Sequence, residues 1–260
     1  MGHERLPLLP KSKKWRDIVS AIALTATNER TTKEVVEKTA EAIDTRFRRL
    51  HLDPSVQDAF YFLLALSVAA RSEAPQTALV DQGIDLHGKM ATPIGLVQAL
   101  SSFMRREGSS LENFELAKDA VAKALGEFFR HERSKPDLFE ESDDPFTVWR
   151  KASDGGGFCV LARQFFSSLT TDYIQYFLDR EASAILPSVE AREKFGSELE
   201  SHIDQVTRYS FETSKITQSF AAGWYNKHAT KNLPSPKETR RFLSIALNKI
   251  RDSLRREAAP

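Results

Sequence analysis

Cys159, the only cysteine in the chain, stands in a setting that could support nucleophilic chemistry. It follows three glycines at 155–157 and lies near the start of a predicted helix. Backbone N–H groups and the helix dipole lower the pKa of a thiol at such a position, and the thiolate is the nucleophile. A cysteine nucleophile also needs a base, but the residues after Cys159 read as helix and offer no strand with a histidine and a carboxylate. We therefore expect Cys159 to be a small buried hydrophobic residue, because Phe158 begins a mainly apolar face.

A second candidate is the sequence RFRRLH, in which four residues separate Arg46 from His51. This spacing resembles the Arg-x4-His motif of HEPN ribonucleases, which are helical proteins, and the resemblance covers these six residues. It implies an acid–base and phosphate-stabilising pair that cleaves RNA. However, Phe47 stands where HEPN motifs usually carry a polar residue, and five helical steps place the two side chains about 140° apart. The alternative is a basic helix end, at which Arg46, Arg48 and Arg49 interact favourably with the helix dipole.

Two glutamate–histidine pairs, Glu127/His131 and Glu198/His202, could each present a carboxylate and an imidazole on one helix face. Two such helices could bind a metal, although di-iron bundles use Glu-x2-His together with two further glutamates. Charged pairs at this spacing are common on solvated helix faces. We expect no metal site and no cofactor.

The C-terminal residues 227–260 carry nine basic side chains against three acidic ones. A positive surface of this kind binds phosphates, with an affinity that falls steeply as salt increases. The predicted contacts to DNA or RNA are Arg240, Arg241, Lys249, Arg251, Arg255 and Arg256. Two alternatives stay open: the charges keep a terminal helix in solution, or they bind an acidic segment such as 132–144 of another subunit.

The totals for the 260 residues limit the remaining classes of function. With 37 basic and 36 acidic side chains, the chain as a whole has no net attraction to nucleic acid or to an anionic membrane. A single cysteine and the lack of a signal-peptide pattern predict a reducing compartment, and we expect the cytoplasm. The most apolar stretch, 56–70, is shorter than the roughly 20 residues that cross a bilayer. We expect it to be a buried core helix, with no membrane contact.

Apolar residues recur at steps of three and four from Trp15 to Leu254, which predicts an all-α multi-helix bundle with long C-terminal helices. The central element is a predicted helix over 155–186, whose aromatic face is wide enough for more than one neighbour. Another long helix is predicted from 189 to about 228. Helix starts are predicted from capping side chains at Thr31, Asp53, Thr92, Ser109, Ser188 and Ser235.

Residues 132–157 interrupt this periodicity and include six acidic side chains within 132–144. They predict a boundary between an N-terminal helical bundle (1–131), an acidic and glycine-rich connecting loop (132–157) and a C-terminal helical bundle (158–260). The two halves could also pack as a single domain. The glycines at 155–157 lack the flanking residues of a phosphate loop and are predicted to form a flexible joint.

No complete catalytic set emerges from these patterns. They favour a non-enzymatic helical subunit or adaptor of a larger intracellular complex, which acts through protein–protein contacts. One alternative is a nucleic-acid-binding protein that uses the basic C-terminal helix. The other is a HEPN-like ribonuclease that uses Arg46 and His51.

Overall fold

The computed structural model describes residues 12–104, 107–134, 144–212, 220–230 and 232–256. Within these ranges the chain forms eleven α-helices and no strand, so the all-α prediction is confirmed. A 3₁₀ turn, Leu50–Leu52, lies between the second and third helices. The helices are α1 (Lys13–Thr25), α2 (Thr32–Phe47), α3 (Pro54–Ala69), α4 (Pro75–Val80), α5 (Pro93–Phe103), α6 (Leu111–Arg133), α7 (Thr147–Arg150), α8 (Gly155–Ile185), α9 (Val189–Glu212), α10 (Phe220–His228) and α11 (Pro236–Arg256).

Helix α8 is the central element of the fold, as its aromatic face predicted. It packs against α1, α2, α3, α6, α9 and α10. Its side chains Phe158, Phe165 and Phe166 are fully buried. The ring of Phe60 in α3 lies 6.0, 5.8 and 5.5 Å from these three rings, measured between centroids. Aromatic pairs at such separations each stabilise a core by about 0.5–1.5 kcal/mol beyond the burial of their area.

Helix α3, predicted to be a core helix, is buried along most of its length. Its middle carries Phe60 and Phe62, neither of which is exposed to solvent. Among the described helices, none combines the length and the apolar character that crossing a membrane requires.

The predicted helix starts depend on side chains that accept hydrogen bonds from backbone N–H groups left unpaired in the first turn. Thr31 accepts from the N–H of Glu34 at 3.3 Å. Ser235 and Glu238 form a reciprocal capping box: the N–H of Glu238 donates to Ser235 Oγ at 3.3 Å, and the N–H of Ser235 donates to Glu238 Oε2 at 2.9 Å. The starts confirmed in this way are those at Thr31, Asp53, Thr92, Ser188 and Ser235.

The start predicted at Ser109 is wrong by one residue. Ser110 is the N-cap of α6 and accepts from the N–H of Asn113 at 3.1 Å. Ser109 instead donates its hydroxyl to Asp53 Oδ1 and accepts from the N–H of Ser55 at 3.0 Å. Because Asp53 caps α3, the starts of α3 and α6 share one hydrogen-bond network, and this tertiary contact takes the Ser109 hydroxyl away from α6.

The junction between α7 and α8 is a tight turn, which corrects the prediction of a flexible joint at 155–157. The three glycines form the first turn of α8, and Asp154 Oδ1 accepts from the N–H of Gly157 at 2.8 Å. A Cβ atom on Gly157 would lie 1.6 Å from the carbonyl oxygen of Lys151. Glycine is therefore required here because the backbone of the preceding turn fills the space of a side chain. Cys159 is buried one turn later, as predicted for a small hydrophobic residue.

The C-terminal part of the predicted connecting loop, residues 144–157, packs against the helices. Trp149 of α7 is fully buried, and its Nε1–H donates to the carbonyl oxygen of Ala91 at 2.6 Å. Its ring lies 6.1 Å from that of Phe128 and 5.9 Å from that of Phe129. Residues 135–143 lie outside the described part of the chain. Buried residues of both predicted halves belong to one hydrophobic cluster, and the division into two domains stays a prediction.

The long helix predicted from 189 to about 228 corresponds to two described helices, α9 and α10. Residues 213–219 between them lie outside the described residues. Helix α9 packs against α8 and α11, and α10 packs against α8, so both cover the central helix.

Candidate nucleic-acid interface

Helix α11 has an apolar face towards the core and a basic face towards solvent. The buried side chains are Phe242, Leu243, Ala246, Leu247, Ile250 and Leu254. Four of the six predicted nucleic-acid contacts are exposed, namely Arg240, Arg241, Lys249 and Arg255. The side chain of Arg251 is only 15 % exposed, and that of Arg256 lies outside the described part of the structure.

The exposed cations of α11 occupy more than one row. At 3.6 residues per turn, Arg240, Arg251 and Arg255 fall within about 60° of each other around the helix axis. Lys249 lies at the opposite edge of the exposed face, with its ammonium 5.5 Å from the centroid of the Phe220 ring. Within the row of three, Arg251 contacts α2 and Arg240 contacts α3, whereas Lys249 contacts α10.

Asp44 connects this row to the C-terminal end of α2. Its Oδ2 lies 2.6 Å from Nη2 of Arg48, and its Oδ1 lies 3.7 Å from Nε of Arg251. Arg251 also donates from Nη2 to Asp252 Oδ1 at 2.5 Å, so two carboxylates compensate its charge. Sequence reasoning missed Asp44, because the residue acquires its role only when α2 and α11 meet.

Gln57 makes a second connection between the two basic segments. Its Oε1 accepts from Nη2 of Arg240 at 3.4 Å, and its Nε2 donates to the carbonyl oxygen of His51 at 2.9 Å. The Nδ1 atom of His51 lies 2.7 Å from the carbonyl oxygen of Arg48. The RFRRLH segment and the basic C-terminal helix, which are far apart in sequence, thus lie side by side.

Arg46 points away from this junction. It lies about 200° around the α2 axis from Asp44, and its guanidinium is 5.9 Å from the centroid of the Phe177 ring in α8. Helix α2 ends at Phe47, and His51 lies in the 3₁₀ turn beyond it. The described structure shows no contact between Arg46 and His51, and the ribonuclease hypothesis stays a prediction.

A cavity of about 370 Å³ lies on the flank of α2 where Arg46 is found. The end of α2, the 3₁₀ turn, the start of α6 and the middle of α8 surround it. The residues that define its chemistry are Arg46, Arg49, Glu112, Tyr173, Tyr176 and Phe177. The hydroxyl of Tyr176 donates to Glu112 Oε1 at 3.2 Å. Burial raises the pKa of Tyr173 to about 12, although the nearby guanidinium of Arg46 opposes the rise.

A second, polar cavity of about 670 Å³ lies between α6, α8 and α9. Its electrostatics differ from those of the cavity beside α2. Lys123 Nζ lies 2.5 Å from Asp172 Oδ1, and Arg163 Nη1 lies 2.9 Å from Asp204 Oδ1. Burial raises the pKa of Asp172, and its ion pair with Lys123 opposes the rise. Both cations of this cavity are paired with carboxylates, so it offers little attraction to a phosphate.

The glutamate–histidine pairs do not come together. Glu127 and His131 are exposed on α6, and Glu198 on α9 accepts from the hydroxyl of Thr32 at 2.5 Å. His202 is buried on α9. In the described ranges, no three histidine, cysteine or acidic side chains form a group that could hold a metal ion.

Comparison with known proteins gives no match: no protein-family model, no curated protein and no solved structure is significantly similar to this chain. The fold defines an all-α helical bundle. Its function has to be argued from its own surfaces.

Proposed function

We propose that this protein binds nucleic acid through a basic surface at the junction of α2 and α11. The basic surface consists of Arg49, Arg240, Arg241 and Arg255, all of which are exposed, and it adjoins Arg48, whose guanidinium pairs with Asp44. The observation that carries the proposal is that α2 packs against α11, with Asp44 lying between Arg48 and Arg251, so that the two basic segments are adjacent.

The residue type supports phosphate binding. Every member of the basic surface is arginine, whose planar guanidinium donates two parallel hydrogen bonds to a phosphate and keeps its charge at any physiological pH. Four phosphate contacts on a duplex would give a slope of log affinity against log salt of about −3.6. Affinity would then fall about 150-fold between about 50 and 200 mM salt.

The test is fluorescence anisotropy with labelled single-stranded RNA, single-stranded DNA and duplex DNA at low and high salt. The variant is Arg240→Glu with Arg255→Glu. Its matched control is Lys89→Glu with Arg130→Glu, which changes the net charge equally at exposed sites away from the basic surface. We expect the first variant to weaken binding at least about tenfold at low salt and to flatten the salt slope by about 2, whereas the control stays near wild type.

Two results would contradict the proposal. One is the absence of binding to all three probes at low salt. The other is equal weakening by both double variants, because binding would then depend on net charge and not on this surface.

A second candidate function, the adaptor of an intracellular complex, is favoured by apolar side chains exposed around α4 and α5. Val80, Met90 and Ile94 are 50, 63 and 73 % exposed, and an apolar surface of this kind is typical of protein–protein contacts. If it binds a partner, Ile94→Lys should abolish co-purification from the native host. Val189→Lys, at an apolar residue 59 % exposed on α9, should not. Loss of the partner from both variants, or from neither, would argue against this surface. A cytoplasmic location stays a prediction.

A further inference from the structure

A third cavity, of about 630 Å³, lies where the C-terminal end of α3, the helix α4 and the segment before α11 meet. Its apolar lining consists of Ala65, Val68 and Ala69 on one face of α3, Ala78 on α4, and Leu233. Three of these five side chains are alanines, which are too short to fill the space between the helices. The volume lies within the range of about 300–1,000 Å³ that is typical of ligand pockets.

Arg71 is the one charged residue among the described residues that line this cavity. Backbone carbonyl oxygens of two other segments hold its guanidinium: Nη2 donates to Ala229 at the end of α10, and Nη1 donates to Ser153 at 3.5 Å in the turn before α8. Its Cζ also lies 5.9 Å from the centroid of the Tyr225 ring. The position of this cation is therefore fixed by the fold itself.

The positive charge of Arg71 is not compensated. The side chain is half-buried, and no carboxylate in the described part of the chain forms an ion pair with it. Asp154, the neighbour of Ser153, instead caps α8 by accepting from the N–H of Gly157 at 2.8 Å. Carbonyl oxygens are neutral, so they engage two of the five guanidinium N–H groups and leave the charge in place. A half-buried cation without a counter-charge favours the binding of an anion.

Two amide side chains add hydrogen-bond donors to the same cavity. Gln82 accepts through Oε1 from the hydroxyl of Tyr61 at 2.8 Å, and its Nε2 donates to no other described residue. Asn232 is exposed, and its amide likewise has no partner within the described ranges. Because a carboxylate accepts hydrogen bonds and donates none, these amides favour a carboxylate near Arg71.

We infer that this cavity binds a monocarboxylic acid with a linear aliphatic tail, whose carboxylate pairs with Arg71 and whose tail lies along the apolar residues of α3 and α4. A guanidinium matches a carboxylate in both charge and planar shape. With a single cation in the described lining, a phosphate dianion would keep part of its charge uncompensated. The described lining contains no aromatic side chain, so its apolar part suits a hydrocarbon chain and offers no stacking surface to a flat ring.

The test is calorimetric titration with octanoate, hexanoate, octan-1-ol and octylamine. Each methylene that becomes buried raises affinity by up to about fourfold, so octanoate should bind up to about 15-fold more tightly than hexanoate. Octan-1-ol and octylamine carry the same tail without the negative charge. We expect both to bind at least about tenfold more weakly than octanoate, because they cannot form a charge-assisted pair with Arg71.

Two variants with matched controls locate the site. Arg71→Gln should weaken octanoate at least about tenfold and leave octan-1-ol unchanged, whereas Arg163→Gln, at a half-buried arginine paired with Asp204, should bind octanoate as wild type does. Ala78→Leu should fill the cavity and weaken octanoate about tenfold. Ala122→Leu, at a half-buried alanine of α6, should not. If Arg71→Gln proves unstable in a thermal melt, the comparison of the two leucine variants still decides.

Three results would overturn the inference. They are the absence of octanoate binding, equal affinities for octanoate and octan-1-ol, and equal octanoate affinities of the two leucine variants. The cavity shares no residue with the basic surface on which the proposed function depends. Loss of octanoate binding would therefore leave the nucleic-acid proposal unaffected, and a failure of strand binding would not alter the result at this cavity.

Discussion

Replacing Gly157 by alanine should destabilise the protein severely, because its missing side chain leaves room for the backbone of the turn before α8. The added Cβ would lie 1.6 Å from the carbonyl oxygen of Lys151, and that oxygen would have to retreat beyond 3.0 Å. The turn is anchored: the N–H of Lys151 donates to Val148 at 3.2 Å, and the N–H of Ala152 donates to Trp149 at 2.9 Å. A retreat of the carbonyl would therefore disturb the buried Trp149.

The magnitude follows from two opposing effects. Overpacking that displaces backbone costs about 1–3 kcal/mol and sometimes more. Alanine regains up to about 1 kcal/mol of helix propensity relative to glycine. Since the collision at Gly157 is with a carbonyl and not with a flexible side chain, we expect a cost above this range, about 4 kcal/mol, and therefore a net loss of about 3 kcal/mol in the free energy of unfolding. For a chain of this size that corresponds to a decrease in Tm of about 6–12 °C.

Thermal unfolding followed by circular dichroism measures this effect, with two glycines as matched controls. A Cβ on Gly156 would come no closer than 3.4 Å to another atom, the Oδ1 of Asp154, and one on Gly126 would meet nothing within 4 Å. Gly156→Ala and Gly126→Ala should leave Tm unchanged or raise it by about 2–4 °C, through helix propensity. If Gly157→Ala and Gly156→Ala melt at the same temperature, the close approach described at this turn is wrong.

Two further predictions concern buried groups. The pKa of Tyr173 is raised from 10.0 to about 12 in the folded chain, so the unfolded chain loses this proton first and stability should decrease as pH rises above 10. Burial also raises the pKa of Tyr61 and Tyr225, so the ultraviolet titrations of wild type and Tyr173→Phe are compared: their difference should show one tyrosine ionising near pH 12, and identical high-pH titrations would contradict the burial of Tyr173. Cys159 is buried, so alkylation near neutral pH should be slow in the folded protein and rapid in denaturant, whereas rapid reaction in both would revive a thiolate at this helix start.

The helices could be predicted from sequence because their signals are local. Apolar steps of three and four predicted a helix over 155–186, and α8 spans Gly155–Ile185 with Leu186 as its C-cap. A serine followed three residues later by glutamate predicted the start of α11, where Ser235 and Glu238 form the expected pair. The same reasoning failed at Ser109, because Asp53 from another helix binds its hydroxyl.

The candidate site could be predicted only in pieces. The basic character of Arg48, Arg49 and α11 is visible in the sequence, but their adjacency is not, since it depends on contacts such as that of Asp44 with Arg251. The cavity beside α2 was not predicted at all. Its walls come from segments widely separated in sequence, and no local pattern relates the position of Arg49 to that of Tyr173.

The central place of α8 has a consequence for synthesis of the protein. Helices α1, α2, α3 and α6 all pack against α8, yet α8 leaves the ribosome after them, since a chain emerges from its N-terminus. Until then the nascent chain exposes apolar surface that only α8 covers. We therefore expect folding to be completed late in translation, and a product truncated before residue 155 to aggregate or to require a chaperone.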